Sequence, residues 1–418
     1  MKLSDLEGKR ILILGYAREG KTSERFLREK FPNADIRIAS KDLSENYLDA
    51  QKDADIAIKT AGIAKNKVTI PFTTCTDLFF EEMERRGLRE RIIGVTGSKG
   101  KSTTVSLIAA ILRQAGHRVH LIGNIGAPAL DVFQEELLPT DYFVLELSSY
   151  QLETCEFSPH IAVFTSLFQE HLDYHGGFES YLEAKSQIVR HQAPGDWYVY
   201  NEHYPQLKSL SSLTPAQSIP FDAEAPVKIE ELKLRGEHNL ENIRGALTVA
   251  RLCDVSMEDA IAAVRSFEPL KHRLTDVGVY RGIRFVDDAI STAPESTMFA
   301  VQTLGDVETL FLGGEDRGLD FSGLARFVKE QGIKNVVLFP TTGQRIKQEL
   351  ERIEGSGPLL FETTSMEEAV RFAYEHTSPG KTCLLSTASP SFTLWKNFEE
   401  KGDLFIQCVR ELAKDDRQ

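Results

Sequence analysis

Ile92-Ile93-Gly94-Val95-Thr96-Gly97-Ser98-Lys99-Gly100-Lys101-Ser102-Thr103 reads as a short buried strand, a glycine-rich turn and the start of a helix, in that order. Glycines let backbone N–H groups converge on phosphate oxygens, and a helix N-terminus adds its dipole. Lys101 can then reach the outer phosphates, and the Ser102 hydroxyl can face Mg²⁺. The stretch departs from the general phosphate-loop pattern in one respect: its first glycine sits one residue early. The strand before it and the helix after it are the context the motif requires.

On either side of this stretch the same alternation continues. Upstream, apolar runs at Ile11-Leu12-Ile13-Leu14, Ile36-Arg37-Ile38 and Ile56-Ala57-Ile58 alternate with helical patterns, which predicts a small parallel α/β unit over residues 1–91. A charged helix over 77–91 leads out of it. Downstream, near-continuous apolar runs end at Glu146 and at Thr165, as in parallel strands buried on both faces. Residues 209–226, rich in Ser, Pro and Ala, read as a surface excursion, and a helical pair over 241–267 closes a central segment of 92–268. A third α/β segment, 269–418, has strands at Ile283-Arg284-Phe285-Val286, Thr309-Leu310-Phe311-Leu312, Val336-Val337-Leu338-Phe339 and Thr382-Cys383-Leu384-Leu385.

The 418 residues suit two or three domains, and 41% apolar residues are enough to fill several cores. No uninterrupted apolar run reaches the roughly eighteen residues of a membrane span. The charged start at Met1-Lys2-Leu3-Ser4-Asp5 does not read as a secretory signal. Five scattered cysteines without CxxC spacing argue against a disulfide framework or a zinc site and fit a reducing cytosol. A net charge of −13 with no basic stripe excludes nucleic acid as the expected partner. An acidic chain that handles anions must neutralise them locally, with metal ions, backbone N–H groups and a few placed cations.

Other residues are ambiguous alone. Gly15-Tyr16-Ala17-Arg18-Glu19-Gly20 after the first strand is as readily a tight connection as a nucleotide site. Glu146, at a strand's carboxyl end, is either a solvated carboxylate or the second side of a Mg²⁺ site. His171 alone is a filler more often than a ligand, and Lys185 within Tyr181-Leu182-Glu183-Ala184-Lys185 reads as an exposed helical lysine.

Taken in order, these segments resemble the Mur ligases along nearly all 418 residues. The likeness rests on the loop 96–103, Gly123-Asn124-Ile125-Gly126, Glu146-Leu147-Ser148-Ser149-Tyr150-Gln151, and His171-Leu172-Asp173 with Lys185. It continues through His238-Asn239 with Asn242, His272-Arg273, Leu312-Gly313-Gly314, and Ser391-Phe392 with Asn397-Phe398. The resemblance implies an α/β chain of three domains: a Rossmann-like N-terminal domain (1–91) for a UDP-sugar, a P-loop central ATPase domain (92–268), and a Rossmann-like C-terminal domain (269–418) for an amino acid. It implies a cytoplasmic, monomeric ATP-dependent ligase of peptidoglycan precursor synthesis that adds D-glutamate to UDP-N-acetylmuramoyl-L-alanine through an acyl phosphate. Two Mg²⁺ would be held by Ser102 and Glu146 and by His171 and Lys185, with Lys185 carbamylated and Lys101 gripping the transferred phosphoryl group.

By the same likeness, Gly97, Ser98, Lys99, Gly100, Lys101, Ser102, Thr103, Asn239, Asn242, Arg273 and Asp288 would line the ATP site. Gly15, Thr60, Gly62 and Asn124 would hold the UDP-sugar, and Thr292, Arg317, Ser391, Phe392 and Phe398 the glutamate. Some positions depart from the pattern. Ile290 and Ala293 stand where the family carries lysine and asparagine, and Arg317 replaces a further lysine. Ser166 and Glu170 stand where it carries Asn and Asp, and Ser40-Lys41 where it has an acidic residue after the second strand. L-glutamate is therefore the first alternative substrate. A P-loop phosphotransferase would leave the His238-Asn239 and Ser391-Phe392 segments unexplained, and a folylpolyglutamate synthase would not need a nucleotide-type first domain.

Overall fold

The computed structural model describes residues 3–41, 43–170, 172–234, 238–268 and 271–414. The chain forms two compact units, 1–268 and 269–418. The first unit carries two parallel sheets. β1 (Arg10–Leu14), β2 (Asp35–Ala39), β3 (Ile56–Lys59) and β4 (Phe72–Thr74) lie in the order β2-β1-β3-β4. β5 (Ile92–Thr96), β6 (Val119–Gly123), β7 (Tyr142–Glu146), β8 (Ile161–Phe164), β9 (Trp197–Tyr200) and β10 (Gln217–Pro220) lie in the order β10-β9-β8-β5-β7-β6. Every residue of β5, β7 and β8 is buried, which is why these runs are apolar without alternation.

In such sheets ligands gather outside the carboxyl ends of the strands, where the strand order reverses. In the first sheet that point lies between β1 and β3, and in the second at β5, flanked by β7 and β8. The turns after β1, β3, β5 and β7 are those that carry Gly15, Thr60, the phosphate loop and Glu146 or its successors. The expected boundary at 91/92 falls between the two sheets but inside one unit, because a single apolar core joins Ile11, Phe79 and Phe80 to Phe133, Phe143 and Phe164. Phe26 and Phe79 lie 5.5 and 6.0 Å from the Phe133 ring.

The second unit has one sheet of β11 (Thr275–Tyr280), β12 (Ile283–Asp287), β13 (Val307–Gly313), β14 (Asn335–Phe339), β15 (Leu359–Glu362) and β16 (Thr382–Leu385). Their order is β11-β12-β16-β13-β14-β15, with only β11 antiparallel. Period-two alternation sends Phe285, Phe311, Val337 and Cys383 into one core and Val286, Leu310, Val336 and Leu384 into the other.

Two local expectations change. The helix expected over 77–91 runs Cys75–Arg85, since Gly87 at φ 70° ends it, and a 3₁₀ turn follows at Arg89–Arg91. Residues 209–226 are not only an excursion, because β10 pairs with β9 at the sheet edge and Phe221 is buried behind it. Among the described residues no helix is long and apolar enough to cross a membrane.

Candidate active site

The phosphate loop leaves β5 at Thr96 and enters the helix Lys101–Gln114 through Gly100, whose φ of 85° is left-handed. A Cβ there would also stand 2.3 Å from Asn242 Oδ1, so only glycine fits. Residues after β8 stitch the loop in place: Ser98 N donates to Ser166 O at 2.8 Å, and Lys99 N to Ser166 Oγ at 2.8 Å. Ser98 Oγ donates to Phe168 O at 2.9 Å. Lys101 Nζ curls back to donate to the carbonyls of Gly97 and Ser98 at 2.9 and 2.8 Å, which places a cation over the loop. Ser102 and Thr103, in the first turn of the helix, are buried.

Glu146 ends β7 in register with Val95 of β5 and is 1% exposed. Its Oε1 accepts from Asn124 Nδ2 at 2.9 Å, and its Oε2 has no hydrogen-bond partner among the described residues. A buried carboxylate oxygen without a donor is costly unless a cation meets it, so the donor set fits a hard divalent ion. Lys185, on the helix Phe178–Arg190, is also 1% exposed, against the exposed position that sequence alone suggests. Its Nζ donates to Gly97 O at 2.8 Å and Thr96 Oγ1 at 3.3 Å, and it lies 4.9 Å from the Tyr181 ring centre. Burial, and then the charge of Lys101, push its ammonium well below the usual lysine range, against the pull of Glu170 and Glu146.

His171 lies outside the described residues. Its neighbour Glu170 pairs with Lys99 Nζ at 2.7 Å, tying that segment to the phosphate loop. Asn239 and Asn242 are buried on the helix His238–Leu252, and Asn242 Nδ2 donates to Asn239 Oδ1 at 2.7 Å. Gly15 and Thr60 meet where the first sheet reverses: Thr60 N and Oγ1 donate to Leu14 O at 3.1 and 2.9 Å, and Ile63 N closes the turn around Gly62 on Thr60 O. A cavity of about 150 Å³ opens beside this turn, lined among others by Arg18, Glu19, Ala61, Asn124 and Gln151.

In the second unit, Asp288 follows β12 and is buried. It accepts from Ser291 Oγ at 2.5 Å, Ser386 Oγ at 2.8 Å and Leu274 N at 3.2 Å. Burial still pushes its carboxyl up to about 6, against these donors and Arg273. The Ser391 hydroxyl, in a residue 3% exposed, has no hydrogen-bond partner among the described residues. Arg317 donates to Glu315 Oε2 at 2.9 Å and stands 5.8 Å from the ring centre of Phe392, which is 59% exposed. Thr292 is exposed. Phe398 opens the helix Phe398–Leu412, with its ring 6.1 Å from that of His272.

Sequence reasoning missed several residues of this neighbourhood. Thr165 holds the loop, its Oγ1 donating to Lys99 O at 2.5 Å, and no local pattern marks it; Ser166, which the sequence marks only as a departure from the family pattern, holds it as well. Tyr181 could have been found from its spacing, one helical turn before Lys185; its OH lies 3.0 Å from Ser98 Oγ. Lys401 is wholly buried and donates to Thr387 Oγ1, and burial brings its ammonium down to about 7.

A phosphate loop at the reversal point of a parallel sheet, with an open buried carboxylate on the neighbouring strand, defines a P-loop nucleotide-binding protein. The Mur ligase middle domain family matches residues 95–232. The UDP-N-acetylmuramoylalanine–D-glutamate ligase of Symbiobacterium thermophilum is 34% identical, covering 88% of this chain and 87% of its own. That of Streptococcus mutans is 31% identical over 98% and 99%. Among solved structures, the MurF ligase of Thermotoga maritima in complex with ADP matches with a TM-score of 0.62 at 17% identity, covering 96% and 95% of the two chains. The folylpolyglutamate synthase/dihydrofolate synthase of Yersinia pestis matches at 0.56 and 17%, covering 80% and 92%, a likeness of fold. The chain belongs to the Mur ligase family, in its UDP-N-acetylmuramoylalanine–D-glutamate ligase branch.

Proposed function

We propose that the chain uses ATP and Mg²⁺ to join D-glutamate to the alanyl carboxylate of UDP-N-acetylmuramoyl-L-alanine, as a cytoplasmic monomer assembling the peptidoglycan precursor. The observation that carries this reading is the Lys101 loop beside the open oxygen of Glu146, in a chain that matches D-glutamate ligases from end to end.

A carboxylate has no leaving group, so it must first take the terminal phosphoryl group of ATP as an acyl phosphate. The amine of glutamate then attacks the carbonyl carbon, and phosphate leaves as the amide forms. Charge collects first on phosphoryl oxygens and then on the tetrahedral oxygen, and fixed cations stabilise both. Lys101, held over the loop, supplies one. Bound Mg²⁺ would supply the rest of the charge neutralisation; Ser102 and Glu146 would hold one ion, and His171 and a carbamylated Lys185 the other. The depressed ammonium of Lys185 favours the neutral amine, the form that adds CO₂. Gly97 to Thr103, Asn239, Asn242, Arg273 and Asp288 take ATP, while Gly15, Thr60, Gly62 and Asn124 take the UDP-sugar. Thr292, Arg317, Ser391, Phe392 and Phe398 take glutamate. In that set Arg317, braced by Glu315 and Phe392, offers a planar fork to a carboxylate. On this reading the work divides among residues 1–91, 92–268 and 269–418.

Mass spectrometry of the product from UDP-N-acetylmuramoyl-L-alanine, ATP, Mg²⁺ and each glutamate enantiomer, with racemase absent, tests the proposal. D-glutamate should be incorporated. A tenfold or greater preference for L-glutamate in kcat/KM, about 1.4 kcal/mol, would overturn the handedness, and failure with both would overturn the substrate.

A further inference from the structure

Glu19 occupies the first turn of the helix Arg18–Lys30, and its two carboxylate oxygens face two different sheets. Oε2 accepts from Ala61 N at 2.9 Å, in the turn after β3, and Oε1 accepts from Gln151 Nε2 at 2.8 Å, in the segment after β7. Gln151 is itself fixed. Its Oε1 accepts from Ser148 N at 2.9 Å and Ser148 Oγ at 3.0 Å, and its own N–H returns to Ser148 Oγ, closing a capping box two residues beyond Glu146. Leu147, between them, is pinned on both sides: its N–H donates to Val95 O at 2.9 Å, and its carbonyl accepts from Thr96 Oγ1 at 2.8 Å. The turn is also held from beneath, where the wholly buried Lys59 donates through Nζ to Ile63 O at 2.9 Å.

We infer that Glu19 is a positioning residue whose carboxylate sets the spacing between the turn 60–63 of the first sheet and the strand end carrying Glu146 in the second. The chemistry asks for a carboxylate: it is acceptor-only at both oxygens, and both groups aimed at it are N–H donors. Its charge strengthens both bonds. The inference rests on the ligase reading, in which a UDP-sugar lies along the first sheet while its alanyl carboxylate must reach the phosphoryl group above the second. A misplacement of about 1 Å between two such anchor points costs on the order of 10²-fold in rate. None of the groups assigned to ATP lies on the turn 60–63, so its binding does not depend on this spacing.

The variant Glu19→Gln keeps the shape but sets an N–H against an N–H at one of the two contacts. The exchange Glu19→Gln with Gln151→Glu restores every bond, reversing donor and acceptor only between residues 19 and 151: residue 19 then accepts from Ala61 N and donates to residue 151, which still accepts from Ser148. In the full chain, Glu19→Gln should lower kcat/KM for UDP-N-acetylmuramoyl-L-alanine tenfold or more and leave the KM for ATP within twofold. The double exchange should recover most of the loss. Hydrogen exchange at the amides of 60–63, which needs no substrate, should quicken in Glu19→Gln and slow again in the double exchange. A double exchange no better than the single variant, a parallel rise in the KM for ATP, or unchanged kinetics in Glu19→Gln would each overturn the inference. If the parent chain made no D-glutamyl product while the exchange data behaved as described, the ligase reading would fall and the strap would stand.

Discussion

Gly402 lies inside the helix Phe398–Leu412, where alanine would ordinarily be the better residue by about 1 kcal/mol. Here a Cβ would stand 2.0 Å from His272 Nδ1, 2.7 Å from Cε1 and 2.8 Å from Cγ. His272 cannot easily retreat. It is 2% exposed, its φ is 62°, and Nδ1 bonds Asp287 Oδ2 at 2.6 Å. Gly402→Ala must therefore displace the ring, losing a hydrogen bond to a charged partner worth about 1.5–3 kcal/mol. Overpacking adds about 1–3 kcal/mol. Setting the helix gain against these leaves a net loss of about 1.5–5 kcal/mol. Gly323, in the helix Ser322–Glu330, has nothing among the described residues within 4 Å of its Cβ position, so Gly323→Ala is the matched control and should be neutral or slightly stabilising. Urea unfolding followed by fluorescence and by circular dichroism measures both. A Gly402→Ala protein as stable as Gly323→Ala would refute the claim that the helix is pressed against this imidazole. Because Arg273 follows His272 directly, Gly402→Ala should also raise the KM for ATP in the fraction that remains folded.

Lys101→Ala should cut kcat by roughly 10²–10³-fold or more, since it removes a preorganised donor to the transferred group; near-normal turnover in a folded variant would reject its role. Lys185→Ala should be inactive and partly restored by added short carboxylates that occupy the anion position; ordinary activity without them would count against the carbamate. Glu82 and Asp196 should contribute to acid stability in the first unit. Burial alone would raise both carboxyls, but Arg85, Lys30 and Arg86 hold Glu82 at about 2, and Arg89, His160 and Ala193 N hold Asp196 at about 2. An acid whose folded value lies below its unfolded one contributes stability above the unfolded value and loses it as pH falls. Stability should therefore drop between about pH 4.5 and 2, and Glu82→Gln with Asp196→Asn should flatten that drop; an unchanged slope would exclude these two groups as its source.

The parallel strands and the phosphate loop were legible because their physics is local. A strand buried on both faces has to be apolar throughout, as in Ile92-Ile93-Gly94-Val95, and a phosphate-binding turn has to be rich in glycine. Glu146 was legible only in part: its strand end was, but its open oxygen depends on Asn124, which is distant in sequence. Lys185 shows the limit most clearly. Within its helix nothing separates it from a solvated lysine, and its burial comes from Gly97, Thr96 and Tyr181. The short edge strand β10 was hidden because it is partly exposed and polar at Gln217 and Ser218, so it lacks the signature of its neighbours. The resemblance supplied the roles that residue types alone could not, and it carried no information on Glu19 or Lys401, whose partners are set by packing between segments.

The apolar core shared by the first two sheets makes them inseparable in a way their sequence boundary does not suggest. Phe26, Phe79 and Phe80 project from helices of the first sheet onto Phe133 and Phe157 of the second. A fragment beginning at Ile92 would bare those rings, and one ending at Arg91 would lose the wall its own aromatics rest on. Residues 269–418 keep both of their cores to themselves. Recombination can therefore exchange the C-terminal unit, which on the proposed reading would take the incoming amino acid, as a whole piece. On the same reading, the part that would grip the carrier nucleotide has to be inherited together with the part that would spend ATP.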